Sequence, residues 1–309
     1  MSAPRKTAQR LQWAHLPPAI RDAVQRRIGS PVVAAVSQDS GFTPGMASVL
    51  TCADGSKHFV KAASTKAQRP IAMSYLEEAR KLKALPDTAP APALQWAIEG
   101  DWVILGINYV AATAPSRPWQ LPELNACLDA IEAMSAALTP VPDTLSLTTF
   151  AEDFADLPGY WTQVRTQRPE LGARAVDAAR LAAQFVAVTA GDTVVHTDLR
   201  DDNTLLTADG DVLFCDWNWL VRGAPWLDLV FYLLQPRADG INVDAILAER
   251  SLTRDLPPEH IDIVLALLAG YFFKSARDPA PSSSPYLRQS QEFNGRTTWN
   301  WLTERRGWL

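Results

Sequence analysis

The period of the apolar pattern changes along the chain, strand-like through most of the first third and helical afterwards. "LPPAIRDAVQRRIGSP" places Pro18 near a helix start and Gly29 just past its end, which predicts a short helix. Three strands are expected next, near 32–37, 47–52 and 57–62. "ADGS" is a hairpin signal between the last two, and "SGFTPG" is a glycine loop between the first two. "IAMSYLEEARKLKALP" carries Leu76, Ala79, Leu82 and Leu85 at helical spacing and stops at Pro86. After the Pro-rich loop "PDTAPAPA" come two further strands, "LQWAIEG" and "DWVILGINYV", meeting at Gly100. "AATAPSRPW" then breaks the pattern and predicts a boundary, with one unit over 1–110 and a second over 111–309.

In the second unit, "LPELNACLDAIEAMSAAL" and "ARAVDAARLAAQFVAVTAG" each read as one amphipathic helix, the latter capped by Gly191. "TVVH" and "DVLFCD" are short β-like runs, expected as one hairpin-like insert. From Trp226 onward the pattern is helix and loop, with a flexible break at "DPAPSSSP". No internal repeat is found.

Composition narrows the function classes. The 309 residues can bury one large or two ordinary cores. A net charge of -5 argues against nucleic acid as the main partner. No apolar run reaches about 18 residues, so no membrane span is expected. The polar start "MSAPRKTAQRLQWAH" lacks the apolar core of a signal peptide, so a cytoplasmic location is expected. Cys52, Cys127 and Cys215 are scattered without CxxC spacing, which weakens disulfide and metal readings and suits a reducing compartment. Trp217, Trp219 and Trp226 cluster in sequence and are expected as core packing rather than a ligand cage.

The candidate chemistry lies in "VVHTDLRDDNTLLTADGDVLFCDWNWL". Six Asp in one apolar-flanked turn should repel each other unless a cation belongs there. His196, Asp198 and Asn203 form H-x-D-x-x-x-x-N, and Asp216 closes the next β-like run. Asp198, Asn203 and Asp216 converging on one point would offer hard oxygen ligands at incomplete coordination, which suits Mg²⁺ completed by water and phosphate. The spacing matches the catalytic loop and metal-binding Asp of the protein-kinase fold. The rest of that fold has candidates in order. The glycine loop supplies Gly41, Thr43 and Gly45, the third strand Lys61, and the next helix Glu77 and Glu78. "VILGINYV" would lead into an interlobe hinge.

On these residues the chain resembles the aminoglycoside phosphotransferase family over nearly its whole length. "HTDLRDDN" is similar to the family's H-G-D-L-x-x-x-N loop, and "FCDWNWLVRGAPWLDL" to its D-W…D-L segment. "SGFTPG" and the C-terminal "YLRQSQEFNGRTTWNWLTERRGW" resemble segments of actinobacterial members. The resemblance implies an α+β, bilobal kinase-like fold with a small β-rich N-terminal lobe and a larger helical C-terminal lobe. It implies ATP and Mg²⁺, with a hydroxyl on a small molecule as acceptor. Asp198 would be the catalytic base or orienting group, and Asn203 and Asp216 would hold the metal. Lys61 would grip the α/β-phosphates and Glu78 would position Lys61, while the 41–45 loop covers the phosphates. Asn108 and Val110 would contact adenine through their backbones. Arg200 stands where protein kinases carry a phosphate-contacting Lys. His196 and Asp228 would be structural supports.

Thr197 stands in place of the family's usual Gly, no Arg precedes Asp198, and Trp217 and Asn218 replace the end of D-F-G. These departures argue against a regulated protein kinase. The acceptor stays open between an antibiotic and a metabolite such as a sugar, amino alcohol or nucleoside, and a nucleotide-binding pseudokinase is the alternative from another class. "FAEDFADLPGYW" places Glu152, Asp153 and Asp156 together, Glu152 and Asp156 being expected on one helix face. They read either as a cation-binding acceptor wall or as a solvated helix start favoured by the dipole.

Overall fold

The computed structural model describes residues 9–38, 41 and 43–308. In chain order the small lobe contains α1 (Pro18–Ile28), β1 (Val32–Ser37), β2 (Met46–Cys52), β3 (Lys57–Ser64), α2 (Arg69–Ala84), β4 (Leu94–Ile98) and β5 (Trp102–Asn108). Its strands form one antiparallel sheet in the order β1-β2-β3-β5-β4. Alternation along each strand divides the side chains between two cores. Val60 and Ala62 join Met46, Leu50 and Ile104 against Leu16 and Val24 of the N-terminal segment and α1. Phe59 and Ala63 join Val103, Leu105 and Ile107 against Ala72, Tyr75 and Ala79 of α2. Lys61 shares the second face, opposite Ala47 and Leu105, so its side chain must leave the sheet toward α2.

The large lobe opens with β6 (Ala112–Thr113) and α3 (Leu121–Ala137). The helices α4 (Phe150–Asp153), α5 (Tyr160–Gln167), α6 (Arg174–Ala182) and α7 (Phe185–Thr189) follow. Then come β7 (Thr193–Val195), β8 (Thr204–Thr207), β9 (Val212–Phe214) and β10 (Val221–Gly223). The chain ends in α8 (Leu227–Tyr232), α9 (Leu234–Ala238), α10 (Val243–Glu249), α11 (Pro258–Ser275) and α12 (Leu287–Arg305). Proline occupies the first turn of α1, α2, α3 and α11, where a missing N–H costs nothing. Leu124, Ile131, Trp161, Phe214, Trp217, Leu229, Leu265 and Trp301 belong to one continuous core. Main-chain pairing changes partner after residue 108: β5 closes the five-stranded sheet, whereas β6 pairs with β8.

Three local expectations are corrected. The run over 173–190 is two helices, because α6 ends at Ala182 and α7 starts at Phe185. "TVVH" and "DVLFCD" do not pair with each other. Instead β7 pairs with β10, and β9 pairs with β8 in a three-stranded sheet with β6. The strands β6, β8 and β10 have two to four residues, too short for a visible alternation. Finally, Gly191 is not a left-handed cap, because α7 ends on extended Ala190. A Cβ on Gly191 would stand 2.3 Å from the Gly223 carbonyl oxygen and 2.7 Å from Ala224 Cα. The glycine lets two backbones touch at the start of β7.

That contact predicts the effect of one added methyl group. Both neighbours are backbone, so neither can rotate away, and Gly191→Ala should lose about 1–3 kcal/mol or more. Gly100→Ala is the control, since nothing lies within 4 Å of its Cβ position. Urea unfolding followed by tryptophan fluorescence checks both. A Gly191→Ala midpoint equal to the Gly100→Ala midpoint would overturn the close-contact account.

Candidate active site

The cleft between the lobes is assembled around Lys61. Its Nζ donates to Glu78 Oε1 at 2.8 Å and Oε2 at 2.7 Å, and to Asp216 Oδ1 at 2.5 Å. Its side chain is only 7% exposed, so the ammonium has exchanged water for two carboxylates. Burial opposes the Lys61 charge, but Asp216 and Glu78 outweigh it, and the group is held protonated above its usual range. Burial would likewise raise Asp216, yet Lys61 carries it down to about 2. Glu78 comes from α2, one turn from Ser74 and close to Lys81 on the same helix. Lys81 Nζ donates to the Asn218 and Leu220 carbonyls at 2.9 and 3.2 Å, and the Asn218 amide meets Ser74 Oγ at 2.6 Å. Thus α2 grips the segment that follows Asp216 at three points.

The acidic loop is shaped from below. Asp228 Oδ2 accepts the His196 N–H at 2.7 Å and Oδ1 accepts the Thr197 N–H at 3.0 Å. Burial pushes the Asp228 carboxyl up to about 7, and the two N–H groups pull against it. His196 is fully buried, edge-on to Trp217, and burial carries it down to about 4, so the ring is neutral. Its Nε2 faces the Cys215 carbonyl at 3.0 Å and its Nδ1 faces the Asp198 N–H at 3.4 Å, which assigns the proton to Nε2. The neutral imidazole therefore ties the loop carrying Asp198 to the strand end carrying Asp216.

Thr197 has φ +66 and Asp216 φ +64, both left-handed without being glycine. Thr197 Oγ1 donates to the Trp219 carbonyl at 3.0 Å, so the residue that departs from the family pattern supplies its own restraint. Beyond this turn, Asp198 Oδ1 accepts from Arg200 Nη1, and Oδ2 accepts from Asn203 Nδ2 at 3.1 Å. Arg200 also grips Asp202, with Nε on Oδ1 at 2.8 Å. Burial pushes Asp198 up to about 6, with Arg200 and Asn203 opposing and Asp202 and Asp216 adding. Asn203 Nδ2 also donates to the Asp198 carbonyl at 2.8 Å, which leaves Oδ1 as the amide atom that can face a cation.

The structure brings together Lys61, Glu78, Asp198, Arg200, Asn203 and Asp216, with His196 and Asp228 behind them. Gly45 borders the same cleft. A Cβ there would stand 2.5 Å from Tyr75 Oη, so only glycine lets the loop pack on α2. Gly41 and Thr43 lie in the described part of the loop, while Ser40 and Phe42 fall outside the described residues. At the end of β5, the Asn108 N–H is committed to the Ala93 carbonyl at 2.8 Å, so any adenine contact from Asn108 falls to its carbonyl. Val110 follows in irregular, half-buried backbone.

The acids at 152–156 are not assembled as expected. The helix α4 ends at Asp153, so Glu152 and Asp156 share no helix face. Glu152 is the distal partner of a capping box, its Oε2 accepting the Thr149 N–H at 2.8 Å while its own N–H reaches Thr149 Oγ1. The sequence "TFAE", a Thr followed three residues later by a Glu, is the signal that identifies this cap. Asp153 and Asp156 are exposed. Trp217 and Trp226 are core as expected, but Trp219 is 58% exposed. On the large lobe, burial raises the pKa of the Tyr271 hydroxyl, and the Asp198 charge adds to that shift. Lys81 and Tyr271 were not singled out by spacing, because each belongs to the site only through tertiary contact, and Asp202 was read only as one of the acidic-loop carboxylates.

No protein-family model and no curated protein matches the sequence. Solved structures do match by fold. An aminoglycoside phosphotransferase from Alicyclobacillus acidocaldarius aligns with a TM-score of 0.55 at 17% identity, over 94% of this chain and 96% of that one. Choline kinase from Streptococcus pneumoniae gives 0.59 at 12% identity, over 94% and 100%. Spectinomycin phosphotransferase in complex with ADP and spectinomycin gives 0.61 at 9% identity, over 91% and 93%. The chain therefore carries the bilobal kinase-like fold of these phosphotransferases across nearly its full length.

The Thr197 turn yields a stability test. Thr197→Val keeps the β-branch at φ +66 but loses the hydroxyl bond, and should cost about 0.5–1.5 kcal/mol. Thr197→Gly loses the same bond but removes a left-handed strain of about 1–2 kcal/mol, so it should stay near wild type. Denaturant midpoints should rank Gly above Val. The reverse order would show that the turn carries no strain.

Proposed function

We propose that the chain is an ATP- and Mg²⁺-dependent phosphotransferase that moves the γ-phosphoryl group to a hydroxyl of a small molecule. The reading takes 1–110 as the nucleotide-binding unit and 111–309 as the catalytic and acceptor-binding unit. The carrying observation is the convergence of Lys61, Glu78 and Asp216 with Asp198 and Asn203 in one cleft. The two protein oxygens suited to a divalent ion, on Asn203 and Asp216, are too few to hold one without help. Among the described residues no group of three or more His, Cys, Asp or Glu side chains forms a metal site. Such a sparse hard-oxygen set fits Mg²⁺, which keeps places for water and phosphate. When bound, the ion would neutralise charge on the phosphates during transfer.

The chain's own residues supply position and charge. Lys61, kept protonated by Glu78 and Asp216, holds the α/β-phosphates. Asp198, raised toward neutrality by burial, accepts the hydroxyl proton of the acceptor. The acceptor oxygen bonds to the γ-phosphorus as the bond to the bridging β–γ oxygen breaks, and ADP leaves. Arg200 holds Asp198 and Asp202 and adds positive charge beside the transferring group. Asn108 and Val110 border the adenine site through backbone groups.

On the acceptor side, the reading places exposed Trp219, whose carbonyl holds Thr197 beside Asp198, and Tyr271, whose hydroxyl feels the Asp198 charge. A cationic acceptor is no longer supported by Glu152 and Asp156, since Glu152 is spent on a cap. An antibiotic and a metabolite remain the two acceptor classes, and the relatives of this fold include proteins named for both.

An ADP-release screen with aminoglycosides, macrolides, peptides, sugars, amino alcohols and nucleosides tests the reaction. With the acceptor found, Asp198→Asn should lower kcat by about 10²- to 10⁴-fold while leaving nucleotide binding nearly unchanged. A variant rate above about a tenth of wild type would remove Asp198 from the base role.

A melting experiment tests the metal separately. A ligand at about a hundred times its Kd adds about 2.7 kcal/mol. Wild type should melt higher with MgATP than with ATP plus chelator, and Asp216→Asn should lose that difference. Equal shifts with and without metal in wild type would sink the assignment to Asn203 and Asp216.

A further inference from the structure

The turn that carries Asp216 is held from α2 at both of its ends. Asp216 opens a single 3₁₀ turn, Trp217–Trp219, and Leu220 leaves it in extended conformation. Ser74, Glu78 and Lys81 of α2 follow each other at helical spacing, so they share one face of the helix. All three reach this turn. Glu78 acts through Lys61, which holds Asp216 Oδ1. Ser74 acts through Asn218. With that amide turned to satisfy both its ends, Nδ2 donates to the Asp216 carbonyl at 2.9 Å, while Oδ1 accepts from Ser74 Oγ at 2.6 Å and from Trp219 Nε1 at 2.9 Å. Lys81 acts at the far end, where its Nζ donates to the Asn218 and Leu220 carbonyls at 2.9 and 3.2 Å. The end of a short helical turn leaves such carbonyls without partners of its own. The lysine is costly there. Its side chain is 12% exposed and burial lowers its pKa, while Glu77, at 3.5 Å, pulls the other way. A methionine would fill the same place without that cost, so packing does not account for a lysine.

We infer that Lys81 is a positioning residue for Asp216, pinning the end of the turn so that the Asp216 carboxylate is already oriented for the divalent ion. The inference rests on the metal assignment above. Asp216 has φ +64, a conformation that an aspartate keeps only where its surroundings enforce it. The Lys61 pair fixes Oδ1 but not the backbone. Asn218 fixes the backbone at the Asp216 carbonyl, and Lys81 fixes it at the end of the turn. With both points held, Oδ2 keeps one direction and the turn has nothing to rearrange on binding. Groups that orient a metal ligand in this way change metal affinity by about 10- to 100-fold when removed, although they never touch the ion.

A lysine that only stabilised the contact between the lobes would change ATP binding equally with and without metal. Calorimetry therefore measures Kd for MgATP and for ATP plus chelator in wild type, Lys81→Met, Lys81→Arg and Ser74→Ala. Lys81→Met should weaken MgATP by about tenfold and leave ATP plus chelator within about twofold. Lys81→Arg keeps donors at the two carbonyls and should recover part of the loss. Ser74→Ala removes one hydroxyl at the other end and should weaken MgATP by a smaller factor, again without moving ATP plus chelator. Unchanged MgATP binding by a folded Lys81→Met overturns the inference; should that variant not fold, unchanged binding by Ser74→Ala does so. Equal weakening with and without metal shows a structural prop and overturns it as well. If wild type binds MgATP no more tightly than ATP plus chelator, the metal assignment falls and takes this inference with it.

Discussion

A nearly dry ammonium group holds the cleft together. Removing Lys61 from water costs several kcal/mol, and the structure offsets that cost only by bringing in two carboxylates from separate elements. Glu78 arrives from α2 and Asp216 from the large lobe. Losing either leaves charge buried without its counterpart, an error of about 3–5 kcal/mol. The pairing thus sets the position of α2 on the sheet and the approach of one lobe to the other. Lys81 and Ser74 extend the same grip along the segment after Asp216. Helix position, lobe closure and the orientation of a candidate metal ligand are one linked arrangement.

Opposite this ion cluster, backbone conformation is held by force from below. Thr197 and Asp216 sit in left-handed conformations that ordinary residues avoid. Each is over-determined: Thr197 by Asp228 and by its own hydroxyl, Asp216 by Lys61. Neutral His196 ties the two turns through the Cys215 carbonyl and the Asp198 N–H. The result aims Asp198 and Asn203 at the same space as Asp216. Such strain at a site persists only where the surroundings enforce it, and here the enforcing groups are buried. The aspartate-rich stretch is tolerated because Lys61, Arg200 and Arg117 are distributed among its carboxylates.

Much of this was legible along the chain, and for physical reasons. The five strands were legible as short apolar runs bounded by glycine and turn signals, because both faces of the sheet are packed, and α2 shows the 3.6 period because one side of it faces the core. H-x-D-x-x-x-x-N and the later Asp216 lie within one short stretch, so their spacing along the chain could be read directly. Lys61 and Glu78 were legible because the kinase-fold pattern calls for a Lys on the third strand and a Glu on the next helix, and both elements could be read from the sequence. By contrast, β6, β8 and β10 are too short to show a period, and their pairing is chosen by distant partners. Gly191 carried the letter of a cap but serves a close approach to Gly223, which no local pattern reports. Glu152 looked like half of a cation site and is half of a capping box, a motif one residue upstream of where the spacing was read.

By itself, then, the sequence determined the small-lobe strands, α2 and the residues of the acidic loop, which follow from periodicity and short-range spacing, and the bilobal class came with the family resemblance those residues carry. Tertiary structure alone decided which cation meets which carboxylate. It left Trp219 exposed while burying Trp217, and it spent Glu152 on a helix start. Those outcomes depend on burial and on contacts between distant segments. Charge energies follow distance and desolvation in three dimensions, and neither quantity is written in spacing along a chain.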